Sequence, residues 1–452
     1  MKKLFLFPLV ILLVIGFILS GCGETTPTTT QPTTTQPTTT QPTTTQPTTT
    51  QPTTPAAFDG EFVFGMDTDL TNSLGNQVMN IGDVIVDTFN ARGGIVVQGK
   101  HYKVKCITYS TDNDQNKGVA AINRFVFQDK IKFIVSHGVQ ADFACPITQP
   151  EKVLTYTMST VWNSGFLDKY TYNFSMLGQG SHEVAVAGYL VDTYPEMKAK
   201  DQLAFALPDS APGHQMASNF AYPYKMLGCE PAFVFYPADQ RDLSSMGTKI
   251  KTMNPAWFFG GLGATETMGL VTGAAYDAGY RGHYFTFLTS DVGLLAPVFK
   301  PEVLEGYITA CSAMETGDFG GCLTPYAKSV KDAWTAKYGK WDYPDYMTTP
   351  MYTNLLLAIE KANSFDVDAV AAVLHAGFEW EVPDGMGRMV TRPDMRLDGK
   401  CVDAVTDSYL KQIKNKQPVI IDHADLDETL AYMRRAYPPL APGQTPSIHP
   451  PA

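Results

Sequence analysis

The chain of 452 residues has a net charge of −11 at pH 7 and contains seven cysteines. No basic patch is visible along it, which argues against nucleic acid or an anionic lipid surface as a partner. No two cysteines form a CxxC pair, which argues against a zinc ribbon and a thioredoxin-type motif.

The first residues predict export from the cytoplasm. Lys2 and Lys3 precede an apolar run, Leu4 to Leu19, which is short for a membrane-spanning helix and suits a signal peptide over residues 1–21. The run leads into Leu19-Ser20-Gly21-Cys22, which resembles a bacterial lipobox. The resemblance implies cleavage before Cys22 and acylation of that cysteine, so that lipid anchors the chain outside the cytoplasm. An uncleaved anchor helix is the alternative.

A linker is predicted over residues 22–57. Five copies of Thr-Thr-Thr-Gln-Pro fill residues 28–52. A segment of this composition cannot bury a core and stays extended or disordered. It therefore predicts a tether between the lipid anchor and a globular body.

The body is long enough for two ordinary domains, and its pattern is that of an α/β protein. Val78, Ile81, Ile85 and Phe89 recur at helical spacing before Gly93-Gly94. Such strand–helix alternation builds parallel sheets covered by helices on both faces, and ligands bind outside the carboxyl ends of the strands. Strands are predicted at 61–65, 104–109, 133–136, 154–157, 203–207, 233–236, 257–260 and 285–288.

From Phe64 to about Lys416 the chain resembles the type 1 periplasmic binding proteins of the branched-chain amino acid ABC importers. The resemblance implies an α/β fold of two doubly wound lobes joined by a hinge. It is carried, in order, by Gly65-Met66, Leu74-Gly75, Phe89-Asn90-Ala91-Arg92-Gly93-Gly94-Ile95, Asp112-Asn113-Asp114, Gly260-Gly261-Leu262-Gly263, Leu304-Glu305-Gly306 and Val382-Pro383-Asp384-Gly385.

The resemblance also implies how the chain is divided. The first lobe would comprise residues 58–177 and 311–376, the second 178–310 and 377–425, and residues 426–452 would form a Pro-rich tail. The chain would cross between the lobes near Leu177-Gly178, Thr309-Ala310 and Ala376-Gly377. Closure of two hinged lobes would bury a ligand between them.

In the amino-acid-binding members of this family, the first lobe holds the ligand's carboxylate. The corresponding positions here are Gln140, with Ala141 beside it, and then Ser159, Thr160 and Val161. A hydroxyl and free backbone N–H groups at a strand end can bind an anion. Ordinary capping of the loop by Ser159 and Thr160 is the alternative.

The second lobe of the family supplies aromatic residues and an acid that pairs with the ligand's ammonium group. Asp291 is the candidate acid, and capping of a helix before Val292 is its alternative role. The aromatic positions of the family correspond to Leu74, Pro212 and Leu262 here.

Two aromatic residues near the end of the strand at 154–157 have two interpretations. Trp162 and Tyr156 could stack on a flat ligand. Packing in the core is the alternative.

The remaining motifs predict no catalytic chemistry. No G-x-S-x-G or Walker A sequence occurs. The Asp112-Asn113-Asp114 stretch has Lys117 where a calcium loop needs glycine, so neither a metal nor a cofactor is predicted. Cys311 and Cys322 enclose a short Gly-rich stretch, and in an exported protein they are candidates for a disulfide.

The sequence thus predicts an exported, lipid-anchored solute-binding protein and not an enzyme. Its expected partners are an amino acid or related small carboxylate or amide, and the permease subunits of an ABC importer. A sensor that signals to a kinase or chemoreceptor without transport is the alternative.

Overall fold

A computed structural model provides the structure of the chain. None of the helices it describes has the length and apolar content needed to span a bilayer. It describes residues 57–112, 114–139, 141–157, 170–175, 178–237, 241–261, 265–287, 292–311, 324–339, 349–382, 385–391 and 400–439.

The helices of the described residues follow amphipathic patterns. The first of them carries the predicted apolar positions on its buried face, and Asn72 caps its start by accepting a hydrogen bond from the Gly75 amide at 2.8 Å. The helices are α1 (Ser73–Ala91), α2 (Gln115–Asn123), α3 (Ala141–Thr148), α4 (Gly178–Thr193), α5 (Ala211–Met226), α6 (Ser244–Met253), α7 (Thr265–Asp277), α8 (Val292–Leu295), α9 (Pro301–Leu304), α10 (Pro325–Tyr338), α11 (Thr349–Ala362), α12 (Val367–Ala376) and α13 (Leu426–Ala436).

The strands form two sheets. They are β1 (Gly60–Thr68), β2 (Ile95–Val97), β3 (Lys100–Ser110), β4 (Phe133–Ser136), β5 (Leu154–Thr157), β6 (Asn173–Ser175), β7 (Leu203–Pro208), β8 (Ala232–Tyr236), β9 (Trp257–Phe259), β10 (His283–Phe285), β11 (Ile308–Cys311), β12 (Glu379–Val382), β13 (Gly385–Val390), β14 (Asp403–Thr406), β15 (Ser408–Lys414) and β16 (Gln417–Ala424).

The first sheet has the order β12-β13-β14-β6-β5-β4-β1-β3-β2 within the described residues. Its strands β3, β1, β4, β5, β6 and β14 run parallel to their neighbours in that series. The second sheet has the order β16-β15-β11-β10-β9-β7-β8, with β11, β10, β9, β7 and β8 parallel. The predicted α/β fold of two lobes is therefore confirmed.

Helices cover both faces of the second sheet. One apolar core joins that sheet to residues of α4, α5 and α13, and another joins it to residues of α6 and α7. A third core packs α1, α10, α11 and α12 against the first sheet. Layers of this kind leave the edge formed by the carboxyl ends of the strands free of helix packing.

Most predicted strands coincide with observed ones. Residues 133–136 and 154–157 are β4 and β5. The strand predicted at 285–288 instead occupies His283–Phe285, because His283 and Tyr284 pair with Trp257 and Phe258 of β9. The predicted strand lies too far toward the C-terminus because further apolar side chains follow Phe285 in the sequence.

The C-terminal part differs from the predicted division. Residues 377–425 were predicted in the second lobe, but β12, β13 and β14 are hydrogen-bonded into the first sheet, and Asp403 of β14 pairs with Ser175 of β6. Of the strands described in this range, β15 and β16 join the second sheet. The chain passes from one sheet to the other at Asp407, between β14 and β15, and not near Ala376-Gly377. Gly377 instead ends α12, with φ +78°.

The predicted Pro-rich tail begins with a helix. Asp425 caps α13 by accepting a hydrogen bond from the Glu428 amide at 2.9 Å, and acidic residues in the first turn and arginines in the last complement the helix dipole. Leu426, Tyr432 and Met433 are buried in the second lobe. The segment before the prolines is therefore an amphipathic helix that belongs to the folded body.

Candidate ligand-binding site

The carboxyl ends of the parallel strands form one edge of the first sheet. The pairing aligns Tyr109, Asp67, Ser136, Thr157 and Ser175 in a single row across five strands. Polar residues therefore lie side by side where a sheet of this class binds its ligand.

Asp67 lies in this row between Tyr109 and Ser136 and is fully buried. Its carbonyl oxygen accepts hydrogen bonds from the His137 amide at 3.0 Å and the Gly138 amide at 3.2 Å. Its Oδ1 accepts a further bond from the Gly138 amide at 2.8 Å. Burial raises the pKa of the Asp67 carboxyl to about 7, although hydrogen bonding, including that from the Gly138 amide, acts in the opposite direction.

His137 follows β4 and is partly buried. Its Nδ1 lies 3.1 Å from the hydroxyl of Thr68. Burial lowers the pKa of the imidazole to about 4, with the Asp69 charge opposing the effect. A neutral imidazole can donate one hydrogen bond and accept another, so this edge can offer polarity without positive charge.

The turn after β3 carries an ion pair. Lys117 Nζ lies 2.7 Å from Asp112 Oδ2, and the hydroxyl of Ser110 donates to the Asp112 carboxylate. These bonds hold the pKa of Asp112 below its ordinary value. The lysine therefore compensates the charge of Asp112 in this turn. Within the residues that the structure describes, no group of three or more side chains could hold a metal ion.

The second sheet has its own polar corner at the carboxyl end of β7. His214 Nε2 lies 2.9 Å from Asp209 Oδ1, and the His214 ring packs on Phe235 with the ring centroids 3.9 Å apart. Ser210 caps α5 by accepting a hydrogen bond from the Gly213 amide at 3.2 Å. This corner contains both a carboxylate and an imidazole that are exposed to solvent.

The described part of the chain includes three of the predicted ligand residues. Leu74 is half-buried and packs against the core of the first lobe. Ala141 begins α3 and is buried beside Cys145 and Tyr170. Pro212 lies in the first turn of α5, where the structure describes its backbone. Their contact with a ligand stays a prediction.

Other predicted functional residues lie outside the described residues. Cys311 ends β11, and its predicted bridge to Cys322 stays untested. The predicted functional residues that the structure does not describe are Cys22, Gln140, Ser159, Thr160, Val161, Trp162, Leu262, Asp291 and Cys322.

Tyr156 belongs to the core. It is fully buried, its hydroxyl donates a hydrogen bond to Asn354 Oδ1, and its ring lies 5.9 Å from that of Phe174. The packing interpretation of Tyr156 is therefore confirmed, and the stacking interpretation is wrong for it.

Sequence reasoning missed the most densely bonded residues of the first edge. Asp67 is the penultimate residue of β1, and His137 directly follows β4. The signal was a carboxylate at the end of the apolar run Phe62–Met66, which should rarely be buried unless it has a structural or functional partner. The pair Asp209 and His214 was missed in the same way.

Two α/β lobes with polar groups at the carboxyl ends of their strands offer the place where folds of this class bind a ligand. Residues 70–417 match the family model described as periplasmic binding protein. The chain therefore belongs to the periplasmic binding protein family, whose members bind solutes outside the cytoplasm. The resemblance identified in the sequence is confirmed.

Solved structures share the fold at low sequence identity. A leucine-binding protein from Thermotoga maritima has 16% identity and a TM-score of 0.63, covering 81% of this chain and 99% of its own. An ABC-transporter solute-binding protein from Rhodopseudomonas palustris, in complex with 3,4-dihydroxybenzoic acid, has 16% identity and a TM-score of 0.62, covering 81% and 98%.

A third solved structure is a branched-chain amino acid transporter substrate-binding protein from Streptococcus pneumoniae in complex with isoleucine. It has 17% identity and a TM-score of 0.61, covering 80% of this chain and 98% of its own. No curated protein matches the sequence.

Proposed function

We propose that the chain is a lipid-anchored solute-binding protein of an ABC importer. Its two lobes close around an amino acid or a related small carboxylate or amide, and the closed form is presented to the permease. The observation that carries the proposal is the row of polar residues across the carboxyl edge of the first sheet, which includes the buried Asp67.

The character of the two edges supports a small polar ligand. The first edge combines the hydroxyl of Thr68, the neutral imidazole of His137 and the backbone of the turn after β4. The second edge offers Asp209 and His214. A few convergent polar groups on an otherwise apolar scaffold are the usual way to fix the orientation of such a ligand.

The ligand class is narrowed by the relatives. One relative is named for leucine, one was crystallised with isoleucine and one with 3,4-dihydroxybenzoic acid. All three compounds have a carboxyl group on a compact body that is largely hydrocarbon. We therefore propose a ligand of that chemistry, held at its carboxyl end by residues after β4 and β5, including Gln140, Ser159 and Thr160.

The proposed division of the body follows the sheets. The first lobe contains β1 to β6 and β12 to β14, and the second contains β7 to β11, β15 and β16. Asp407 joins the two: its amide donates to the Met386 carbonyl at 3.2 Å, and its Oδ2 lies 3.9 Å from His423 Nε2. The hinge residue Asp407 therefore contacts residues of both lobes.

The test is thermal unfolding of the chain from residue 23 onward, with L-leucine, L-isoleucine, 4-hydroxybenzoate and 3,4-dihydroxybenzoate added separately. A ligand at 100 times its Kd stabilises the folded state by about 2.7 kcal/mol. We expect at least one compound to raise the midpoint. If none does, and native mass spectrometry detects no co-purified small carboxylate or amide, the proposed ligand class is wrong.

A further inference from the structure

The turn that follows β4 is built around Asp67. The backbone amides of His137 and Gly138 both donate to the carbonyl oxygen of Asp67, and the Gly138 amide also donates to its Oδ1 at 2.8 Å. The hydroxyl of Ser136 donates to the carbonyl of Val139 at 3.1 Å and closes the turn from within. One buried side chain thus organises residues 136–139.

Gly138 shows how closely this turn approaches the neighbouring strands. A Cβ on residue 138 would lie 2.5 Å from Thr111 Cγ2, 2.7 Å from Thr111 Oγ1 and 3.1 Å from Asp67 Oδ1. The backbone therefore passes between the ends of β1 and β3 with no space for a side chain. A shift of the Asp67 carboxyl would be transmitted directly to the turn, since protein interiors pack too densely to absorb it.

The second oxygen of Asp67 has no matching donor. Oδ2 is buried, and no hydrogen-bond partner for it lies among the described residues. An ionised carboxylate would leave this atom charged and unsolvated, which is costly. A protonated carboxyl removes that charge, while Oδ1 remains available to accept from the Gly138 amide.

We propose that Asp67 is a positioning residue for ligand binding, and that in its neutral form it holds the turn of residues 136–139 and so places Ala141 at the start of α3. The placement of Ala141 against a ligand rests on the proposed function. The role of Asp67 in the turn does not. Asp67 itself touches no ligand in this proposal.

The elements packed around Asp67 carry other titratable groups. They are Asp69 after β1, Asp112 after β3, Lys117 on α2, His137 after β4, and Asp142 and Cys145 on α3. Burial lowers the pKa of His137 to about 4, and the Lys117 hydrogen bond lowers that of Asp112. Burial raises the pKa of the Cys145 thiol, so none of these three changes charge between pH 6 and 8.

The experiment is hydrogen–deuterium exchange of the segment around residues 136–139 in the full-length protein, from pH 6 to pH 8.5, with rates divided by the intrinsic rate at each pH. Asp67→Asn keeps an acceptor oxygen and mimics the neutral acid, whereas Asp67→Ala removes both oxygens. Glu61→Gln is the matched control, because Glu61 is an exposed carboxylate at the other end of β1.

We expect protection of this segment in the wild type and in Glu61→Gln to fall about 10-fold between pH 6 and 8.5. This range passes through the pKa of about 7 for Asp67. Asp67→Asn should keep the high protection at every pH, and Asp67→Ala should lack it at every pH. Protection that is unchanged in Asp67→Ala, or that still falls with pH in Asp67→Asn, would overturn the proposal.

A second arm separates this inference from the proposed function. The Kd of L-leucine and of 4-hydroxybenzoate is measured over the same pH range. For a probe that binds, the Kd should rise with pH in the wild type and stay constant in Asp67→Asn. If no compound of the proposed class binds while exchange behaves as expected, the ligand class fails and the role of Asp67 in the turn stands. A Kd that rises equally in both proteins contradicts the positioning role.

Discussion

The ring of Tyr432 lies against the backbone of Gly188. A Cβ at residue 188 would come within 2.1 Å of Tyr432 Cδ1 and 2.3 Å of its Cε1. This close approach lets α13 pack directly on α4, and the helices are further joined by Arg435 and Asp192, whose two hydrogen bonds measure 2.6 Å and 2.7 Å. The C-terminal helix is thereby fixed to the second lobe.

Gly188→Ala should destabilise the protein. The new methyl group must displace a buried aromatic ring, and overpacking of this kind costs about 1–3 kcal/mol. Urea unfolding measures the loss. Gly273→Ala on α7 is the matched control, because its Cβ would meet only Lys300 Cε at 3.6 Å, and replacing a helical glycine there should stabilise by about 0.5–1 kcal/mol. Equal effects in the two variants would contradict the close packing of α13 on α4.

His182 should remain neutral well below the pH at which an exposed histidine is protonated. It is fully buried, and burial lowers its pKa to about 3. Because the unfolded chain binds a proton near pH 6.5 and the folded chain does not, His182 lowers stability by about 1.4 kcal/mol for each unit that the pH falls from 6.5 toward 3. Above pH 6.5 His182 makes no contribution to the pH dependence of stability.

The measurement for His182 is an NMR titration of its ring resonances between pH 8 and pH 4.5, assigned by comparison with His182→Gln. We expect no change in chemical shift over this range. A titration midpoint near 6.5 would show that the ring is exposed to solvent.

Cys22→Ser should abolish lipid attachment. The motif Leu19-Ser20-Gly21-Cys22 carries this prediction, since the thiol is the acylated group. Labelled palmitate supplied to expressing cells should enter the wild type and not the variant. Cys401→Ser, which alters a half-buried free thiol late in the chain, should keep the label. Incorporation into Cys22→Ser would refute the anchor.

Deletion of residues 25–54 should leave the thermal unfolding of the body unchanged. The Thr/Gln/Pro repeats offer no apolar surface to bury, so their removal takes away no packing. Calorimetry of the chain from residue 23 onward, with and without the deletion, makes the comparison. A midpoint lowered by several degrees would mean that the repeats dock on the body.

Asp291→Ala should weaken binding of the cognate ligand by roughly 30-fold or more. Loss of one partner of a buried charged pair costs about 2–5 kcal/mol, and each 1.4 kcal/mol is tenfold in affinity. Titration calorimetry with the compound identified by thermal unfolding gives the Kd. Asp277→Ala, at an exposed carboxylate paired with Lys300, should bind normally. Unchanged affinity in Asp291→Ala would reduce Asp291 to a helix cap.

The local pattern of the sequence was enough to predict the central strands and α1. Runs rich in β-branched and aromatic residues, such as Phe133–Ser136 and Leu154–Thr157, are fully buried, and their composition alone predicts strands. The membership of β12 to β14 could not be predicted in this way. The local sequence pattern of a hairpin does not indicate which sheet it joins. Its membership in the first sheet depends on one long-range pairing, Asp403 with Ser175.

The candidate site was harder to predict than the fold. The resemblance pointed to loop positions by spacing, whereas the bonds of Asp67 depend on which strands become neighbours. β1 and β4 are separated in the chain by α1, β2, β3 and α2, and no local pattern indicates that Asp67 will meet the Gly138 amide. The turn could be recognised only once the order of the strands was known.

The late arrival of β14 affects how the protein acquires its structure during synthesis. β6 ends at Ser175, and its outer neighbour begins only at Asp403. A nascent or truncated chain that stops before residue 403 therefore exposes an open strand edge, which is a template for aggregation. Domain fragments designed from the order of the chain alone would carry this edge, so a soluble first lobe requires residues 379–406 to be joined to it.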